Sequence, residues 1–316
     1  MEHGGQVELA ASARGCTPAD LIDLSTGVHP AGPPAWLDAW LATHVDLVGR
    51  YPRLDGEPAR SALANALAVS PDELLVCAGA QAAIEVVFQA MRWKTVAIRT
   101  PCYAEPLRCA KRAGVRAVPH GTRADAIWVT DPHNPTGARD PFPRGARGVL
   151  DEAYLAFDER RRLGVIPDCV RIGSLTKLFA VPGLPVAYVI AERALLERIR
   201  DWLSPWPAST LALHLVPELL AEALVRDALV RASRGELARL LERFGFHVRK
   251  SEASFVLARR RPGVAFEASG ILVRRFPEWP SLSGWVRLGI PGPDRDWDRL
   301  AGALRDADAR GYAPCP

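Results

Sequence analysis

Apolar positions along the chain switch repeatedly between a helical and a strand period. Residues 57–68 carry them at helical spacing, 74–77 form a short continuous apolar run, and 81–92 return to the helical period. The rhythm continues with apolar runs at 96–98, 115–118, 127–130, 149–150, 170–173 and 187–191, several of them separated by helix-like segments. Runs of this kind alternating with helices predict an α/β fold, a largely parallel sheet covered by helices on both faces. Ligands then belong at the carboxyl ends of the strands. From about residue 205 the texture becomes a long Leu- and Ala-rich helical stretch, followed by short strands at 246–248, 255–258, 271–274 and 286–290 and a helix over 294–308. That pattern predicts helices on a small, mostly antiparallel sheet, a second unit of α+β type. The expected division is an N-terminal arm over 1–34, a large domain over 35–204 and a small domain over 205–316.

Length and composition narrow the class. A chain of 316 residues, 48% of them apolar, is long enough for a large domain with a smaller companion. Its 40 basic and 36 acidic residues are dispersed, without a basic tail, so no nucleic-acid partner is expected. The opening residues MEHGGQVELA lack the pattern of a signal peptide, and no apolar run approaches the ~20 residues of a spanning helix. A soluble cytoplasmic protein without a membrane partner is expected. Cys16, Cys77, Cys102, Cys109, Cys169 and Cys315 form no C-x-x-C pair, which argues for reduced thiols and against a metal site.

Four lysines stand among the 40 basic residues, Lys94, Lys111, Lys177 and Lys250, so chemistry that needs an amine has few candidates. Lys177 ends Ser174-Leu175-Thr176-Lys177, directly after the predicted strand 170–173. Taken alone, a lysine is a solvated surface residue. However, Asp151-Glu152-Ala153-Tyr154 follows the strand at 149–150, and Asp131-Pro132-His133-Asn134-Pro135-Thr136-Gly137 follows the strand at 127–130. Three strand ends thus offer an amine, a carboxylate and an amide. Ala78-Gly79-Ala80-Gln81 opens the helix over 81–92, where unpaired backbone N–H groups make a cup for an anion.

The order N-P-T-G, D-E-A-Y, S-x-T-K resembles the fold-type I pyridoxal-phosphate enzymes in their aminotransferase branch, over nearly the whole chain. The resemblance implies that Lys177 carries pyridoxal 5'-phosphate and moves the proton. It implies that Asp151 pairs with the pyridine nitrogen, Asn134 and Tyr154 flank the ring hydroxyl, and Tyr103 stacks on the ring. Gly79, Ala80, Gln81, Ser174 and Thr176 would then hold the cofactor phosphate, joined by Tyr51 from the neighbouring subunit of a homodimer. A carboxylate beside the pyridine nitrogen keeps it protonated, which makes the ring an electron sink. One departure stands out. Eight residues after the lysine the family usually carries an arginine on the phosphate, and this chain has Pro185. A charge-assisted hydrogen bond contributes ~1.5–3 kcal/mol, so cofactor affinity is expected to be roughly ten- to a hundredfold lower unless another cation substitutes.

Arg274 and Arg287 stand thirteen residues apart, as in the histidinol-phosphate aminotransferases, which they resemble in binding a substrate's anionic groups. His3-Gly4-Gly5, followed by Ser25-Thr26-Gly27-Val28-His29-Pro30, is similar to the threonine-phosphate decarboxylases of cobalamin synthesis. That resemblance places His3, Gly27 and His29 in the substrate region and implies decarboxylation of L-threonine O-3-phosphate. An aminotransferase acting on another phosphorylated amino substrate, and a non-catalytic protein that keeps the fold, remain the alternatives.

Overall fold

The computed structural model describes residues 3–155, 163–259 and 263–309. Cys315 lies outside them. The chain divides into two compact units. The larger comprises Pro33–Asn134 and Arg139–Asp227, and the smaller the described parts of Met1–Gly32, Pro135–Ala138 and Ala228–Pro316.

Strand β1 (Ile22–Leu24) comes first and belongs to the smaller unit. The next seven strands build the larger unit: β2 (Leu74–Cys77), β3 (Thr95–Ile98), β4 (Arg116–Pro119), β5 (Ala126–Thr130), β6 (Gly148–Asp151), β7 (Cys169–Ser174) and β8 (Ala187–Ile190). They lie side by side in the order β2-β8-β7-β6-β5-β3-β4. The neighbours from β7 to β4 are parallel, whereas β8 runs antiparallel to both β7 and β2. β2, β6, β7 and β8 are buried at every position, as strands covered on both faces must be. The edge strand β4 is mostly exposed and carries Arg116 and Pro119, residues that discourage further pairing. This is the α/β class that the alternating periods predict.

The helix Ala80–Met91 buries Ala83, Ile84, Val87, Phe88 and Met91, and Phe88 stacks on Trp128 of β5 at 5.3 Å between ring centroids. Fully burying a side chain of that size contributes ~1.5–3 kcal/mol. Another core cluster joins Leu63 and Leu67 of the helix Ala59–Leu67 to Leu74, Phe179, Leu213, Val216 and Leu219. The last three belong to the helix Thr210–Ala221. This packing moves the second boundary, because residues 210–221 share the larger unit's core and the units part between Asp227 and Ala228, not at residue 205.

In the smaller unit, β9 (His247–Val248), β10 (Phe255–Arg259) and β12 (Trp285–Gly289) form an antiparallel sheet in the order β12-β10-β9. A separate parallel pair joins β11 (Ile271–Val273) to β1, Ile22 opposite Ile271. Within the expected N-terminal arm, Ile22 and Leu24 share a core with Leu237, Leu241, Phe266, Leu288, Leu300 and Leu304. The last two come from the helix Asp294–Ala309.

Candidate active site

Asp151 closes β6 in register with Thr130 of β5 and Ile172 of β7. Its side chain is buried and its Oδ1 accepts the Ala153 N–H at 3.0 Å. Burial pushes its carboxyl up to about 6, although that N–H, the Lys177 amine and the Thr130 hydroxyl pull the other way. Glu152, next in the chain, has a different fate. It forms a fully buried ion pair at 2.9 Å with Arg171 of β7. One acid of the pair is thus neutralised inside the fold and the other is left for chemistry, because successive side chains of an extended chain point to opposite faces. Arg171 was the legible signal. A guanidinium within the otherwise apolar run Val170-Arg171-Ile172 needs a buried carboxylate.

Lys177 sits in the short helix Thr176–Phe179 that follows β7 directly, and its Nζ is 5.9 Å from the Tyr154 ring centroid. Tyr103 is tied to the same strand ends through its backbone, its N–H donating to the Asn134 carbonyl at 3.1 Å. Burial raises the Tyr103 hydroxyl well above its ordinary range, with the charges of Glu105, Tyr154 and Asp151 adding to it. Tyr103 is therefore a neutral hydrogen-bonding group. Asp131 is occupied by Arg139, which donates to its two oxygens at 2.8 and 3.0 Å. Burial, with help from the Arg99 charge, lowers His133 to about 4, so the imidazole is neutral at pH 7.

The cup begins at Gly79, whose φ of +87° belongs to a region that side chains other than glycine's rarely adopt. The first N–H groups of the helix Ala80–Met91 have no partner within the helix and are the donors an anion needs. Ser174 Oγ accepts the Thr176 N–H at 3.3 Å and so keeps its own O–H as a donor. The Gln81 side-chain nitrogen is already engaged, donating to Glu85 at 3.1 Å and Glu105 at 3.2 Å. A Cβ on Gly79 would lie 3.2 Å from the Cβ of Pro185. Position 185 therefore stands beside the cup, and an arginine there is expected to recover the missing charge. Pro185→Arg should tighten pyridoxal-phosphate binding by about ten- to a hundredfold, measured by absorbance titration of the cofactor-free protein. Unchanged affinity would show that another cation already serves the phosphate.

The residues predicted for the substrate side lie in the smaller unit. Arg274 and Arg287 are both buried and pair backbone to backbone, each N–H donating to the other's carbonyl, at 3.1 and 2.9 Å. Arg287 Nη2 donates to the Ser25 carbonyl at 2.7 Å. Ser25 Oγ accepts the Gly5 N–H at 2.9 Å, and a Cβ on Gly4 would lie 2.4 Å from the Ser25 carbonyl oxygen. His3 is half-buried in the segment so fastened. The Gly27 carbonyl accepts the Ser254 hydroxyl, and His29 is buried with its Nδ1 accepting the Ala31 N–H at 3.1 Å. Sequence reasoning gave Ser25 and Asp23 no role of their own, and the Asp23 Oδ1 accepts the Ser25 N–H at 2.8 Å. The Asp-x-Ser spacing was the available sign. Tyr51 is 80% exposed on the larger unit and lies against Trp206, 4.9 Å between centroids.

Among the described residues no group of His, Cys, Asp and Glu could hold a metal ion, and no helix is long and apolar enough to cross a membrane. A buried carboxylate, a lysine beside an aromatic ring and a glycine-opened helix fit a small planar cofactor with a cationic nitrogen and a phosphate.

The family model for aminotransferase class I and II matches residues 19–304. The chain is 29% identical to the threonine-phosphate decarboxylase of Pseudomonas aeruginosa, over 96% of this chain and 97% of that one. It is 25% identical to the histidinol-phosphate aminotransferase of Thermococcus gammatolerans, over 80% of each. Among solved structures, the histidinol-phosphate aminotransferase from Sinorhizobium meliloti in complex with pyridoxal-5'-phosphate superposes with a TM-score of 0.82 at 18% identity, covering 96% of this chain and 94% of that one.

Proposed function

The chain belongs to the aminotransferase class I and II family and is a pyridoxal-phosphate enzyme, and on that footing we propose that it decarboxylates L-threonine O-3-phosphate. The products are carbon dioxide and (R)-1-aminopropan-2-yl phosphate, a proton replacing the carboxylate at Cα, which fits a step of cobalamin synthesis in the cytoplasm. The observation that carries this reading is the fastening of His3-Gly4-Gly5 onto Ser25, whose carbonyl holds Arg287. The segment that resembles the decarboxylases is thereby tied to an arginine of the proposed anion-binding pair.

Pyridoxal phosphate supplies an electron sink for the charge that develops at Cα. Their placement supports the following roles for the chain's own residues. The first turn of Ala80–Met91 and Ser174 receive the cofactor phosphate. Asp151 would pair with the cofactor's ring nitrogen and favour its charged form, Asn134 and Tyr154 would take the ring hydroxyl, and Tyr103 would stack on the ring. Lys177 would hold the cofactor and move the proton at Cα. Arg274 and Arg287 recognise the anionic groups of the substrate with planar forks of donors. The exposed Tyr51, with Val48 and Leu54 nearby in the chain and Trp206 against it, forms an apolar patch suited to a second copy of the chain, and a homodimer is part of the proposal.

A direct assay separates this reading from the aminotransferase one. Purified protein loaded with cofactor should release carbon dioxide from L-threonine O-3-phosphate. Glutamate formation from histidinol phosphate and 2-oxoglutarate, without that release, would assign the chain to transamination instead.

A further inference from the structure

Arg274 is held by its own turn. Its Nη2 is ion-paired with Glu278, its Nη1 donates to the Arg275 carbonyl, and its guanidinium lies 4.9 Å from the Phe276 ring centroid. All these partners fall within residues 274–278. Arg287 is held differently, by the Ser25 carbonyl at 2.7 Å and across the Phe255 ring at 4.8 Å.

The two partners of the Arg274–Glu278 pair are not equally fixed. The arginine side chain is 10% exposed and backs onto buried Phe276, whereas the Glu278 side chain is 28% exposed. An arriving anion can therefore replace the carboxylate more readily than it can move the guanidinium. Glu278 can turn to water, where an ionised carboxylate is well solvated, while the buried arginine cannot be left without a counter-charge. The turn also holds a spare donor, for the indole N–H of Trp279 is buried without an acceptor among the described residues.

From this arrangement we infer that Glu278 is a displaceable counter-ion for Arg274. It keeps the guanidinium oriented while the site is empty and yields it to an anionic group of the substrate. The inference rests on the reading of Arg274 as an anion-binding residue. Its consequence is selectivity. A ligand must outcompete a carboxylate already in place, which a dianionic phosphate does better than a single negative charge.

The test uses cofactor-loaded protein and inorganic phosphate, titrated by calorimetry. Glu278→Gln keeps the size of the side chain and removes its charge. It should bind phosphate about three- to tenfold more tightly than the wild type, with the cofactor absorbance unchanged. The KM for the phosphorylated substrate should fall by a similar factor while kcat is unchanged. Equal or weaker phosphate binding by Glu278→Gln would overturn the inference and make Glu278 a residue that only positions Arg274. Arg274→Gln separates the two layers. If it weakens phosphate binding while Glu278→Gln strengthens nothing, displacement fails and the anion site stands. If Arg274→Gln leaves phosphate binding unchanged, both fail.

Discussion

Replacing Lys177 with alanine should abolish the visible absorbance of the cofactor-loaded protein and lower turnover by about a thousandfold or more. Two losses combine, that of the amine that holds the cofactor and that of a positioned proton-transfer group, which by itself is worth roughly a hundred- to ten-thousandfold. The rest of the chain offers little compensation. Lys94 precedes β3 and so lies at the amino end of a parallel strand, away from the carboxyl ends that carry Asp151 and Ser174. Lys111 belongs to the last turn of the helix Glu105–Arg112. Lys111→Ala is the matched control and should retain both absorbance and turnover. Lys177 is half-buried in a short helix, so its alanine variant should fold, and an unchanged far-ultraviolet circular dichroism spectrum would verify this. A Lys177→Ala protein that kept the absorbance band would refute the assignment of the cofactor lysine.

Much of the fold is written in local periodicity. β2 spans the residues that the apolar run predicts, and the helix Ala80–Met91 is displaced from its predicted range by a single residue. β1 escaped notice because a three-residue strand has too little pattern of its own and exists only by pairing with β11. The unit boundary was misplaced for a related reason. Residues 210–221 and 223–243 share one Leu- and Ala-rich texture, and only the packing of Leu213 and Leu219 against Leu63 and Leu67 assigns the first of them to the larger unit.

The candidate site was legible as motifs, whereas its charge relations were legible only in part. The D-E-A-Y motif does not say which acid is spent, and the answer depends on Arg171 one strand away. Nor does spacing reveal that Arg274 carries Glu278 as a counter-ion, because any arginine with a glutamate four residues on has the same pattern, whether or not a turn brings them together. Pro185 shows the converse. Sequence marks the missing arginine, but the structure alone shows that its position adjoins Gly79.

Asp151→Asn should make the cofactor-free protein more stable above pH 6 while lowering turnover of the loaded enzyme by at least about a hundredfold. Burial raises the Asp151 carboxyl from an ordinary 3.8 to about 6, so between about pH 4 and pH 6 the folded chain binds more protons there than the unfolded chain. Stability from this group therefore falls as pH rises through that window, and the whole cost is present at neutral pH. A shift of this size corresponds to about 3 kcal/mol, which the uncharged amide should relieve. His133 acts with the opposite sign. Burial lowers it from 6.5 to about 4, the folded chain binds fewer protons across that interval, and stability rises with pH there. The two slopes offset one another in the wild type between about pH 4 and pH 6. Asp151→Asn should leave the rise from His133 uncovered, and His133→Gln should leave the fall from Asp151 uncovered. Urea unfolding of the cofactor-free proteins from pH 3.5 to 8 reads both, with the difference from wild type isolating each group from the remaining titrations. Bound cofactor should reverse the ranking, because a cationic ring nitrogen pairs with the Asp151 carboxylate and not with an amide. If the cofactor-free Asp151→Asn protein were no more stable than wild type at pH 7.5, the carboxyl would not be held at a cost for the cofactor.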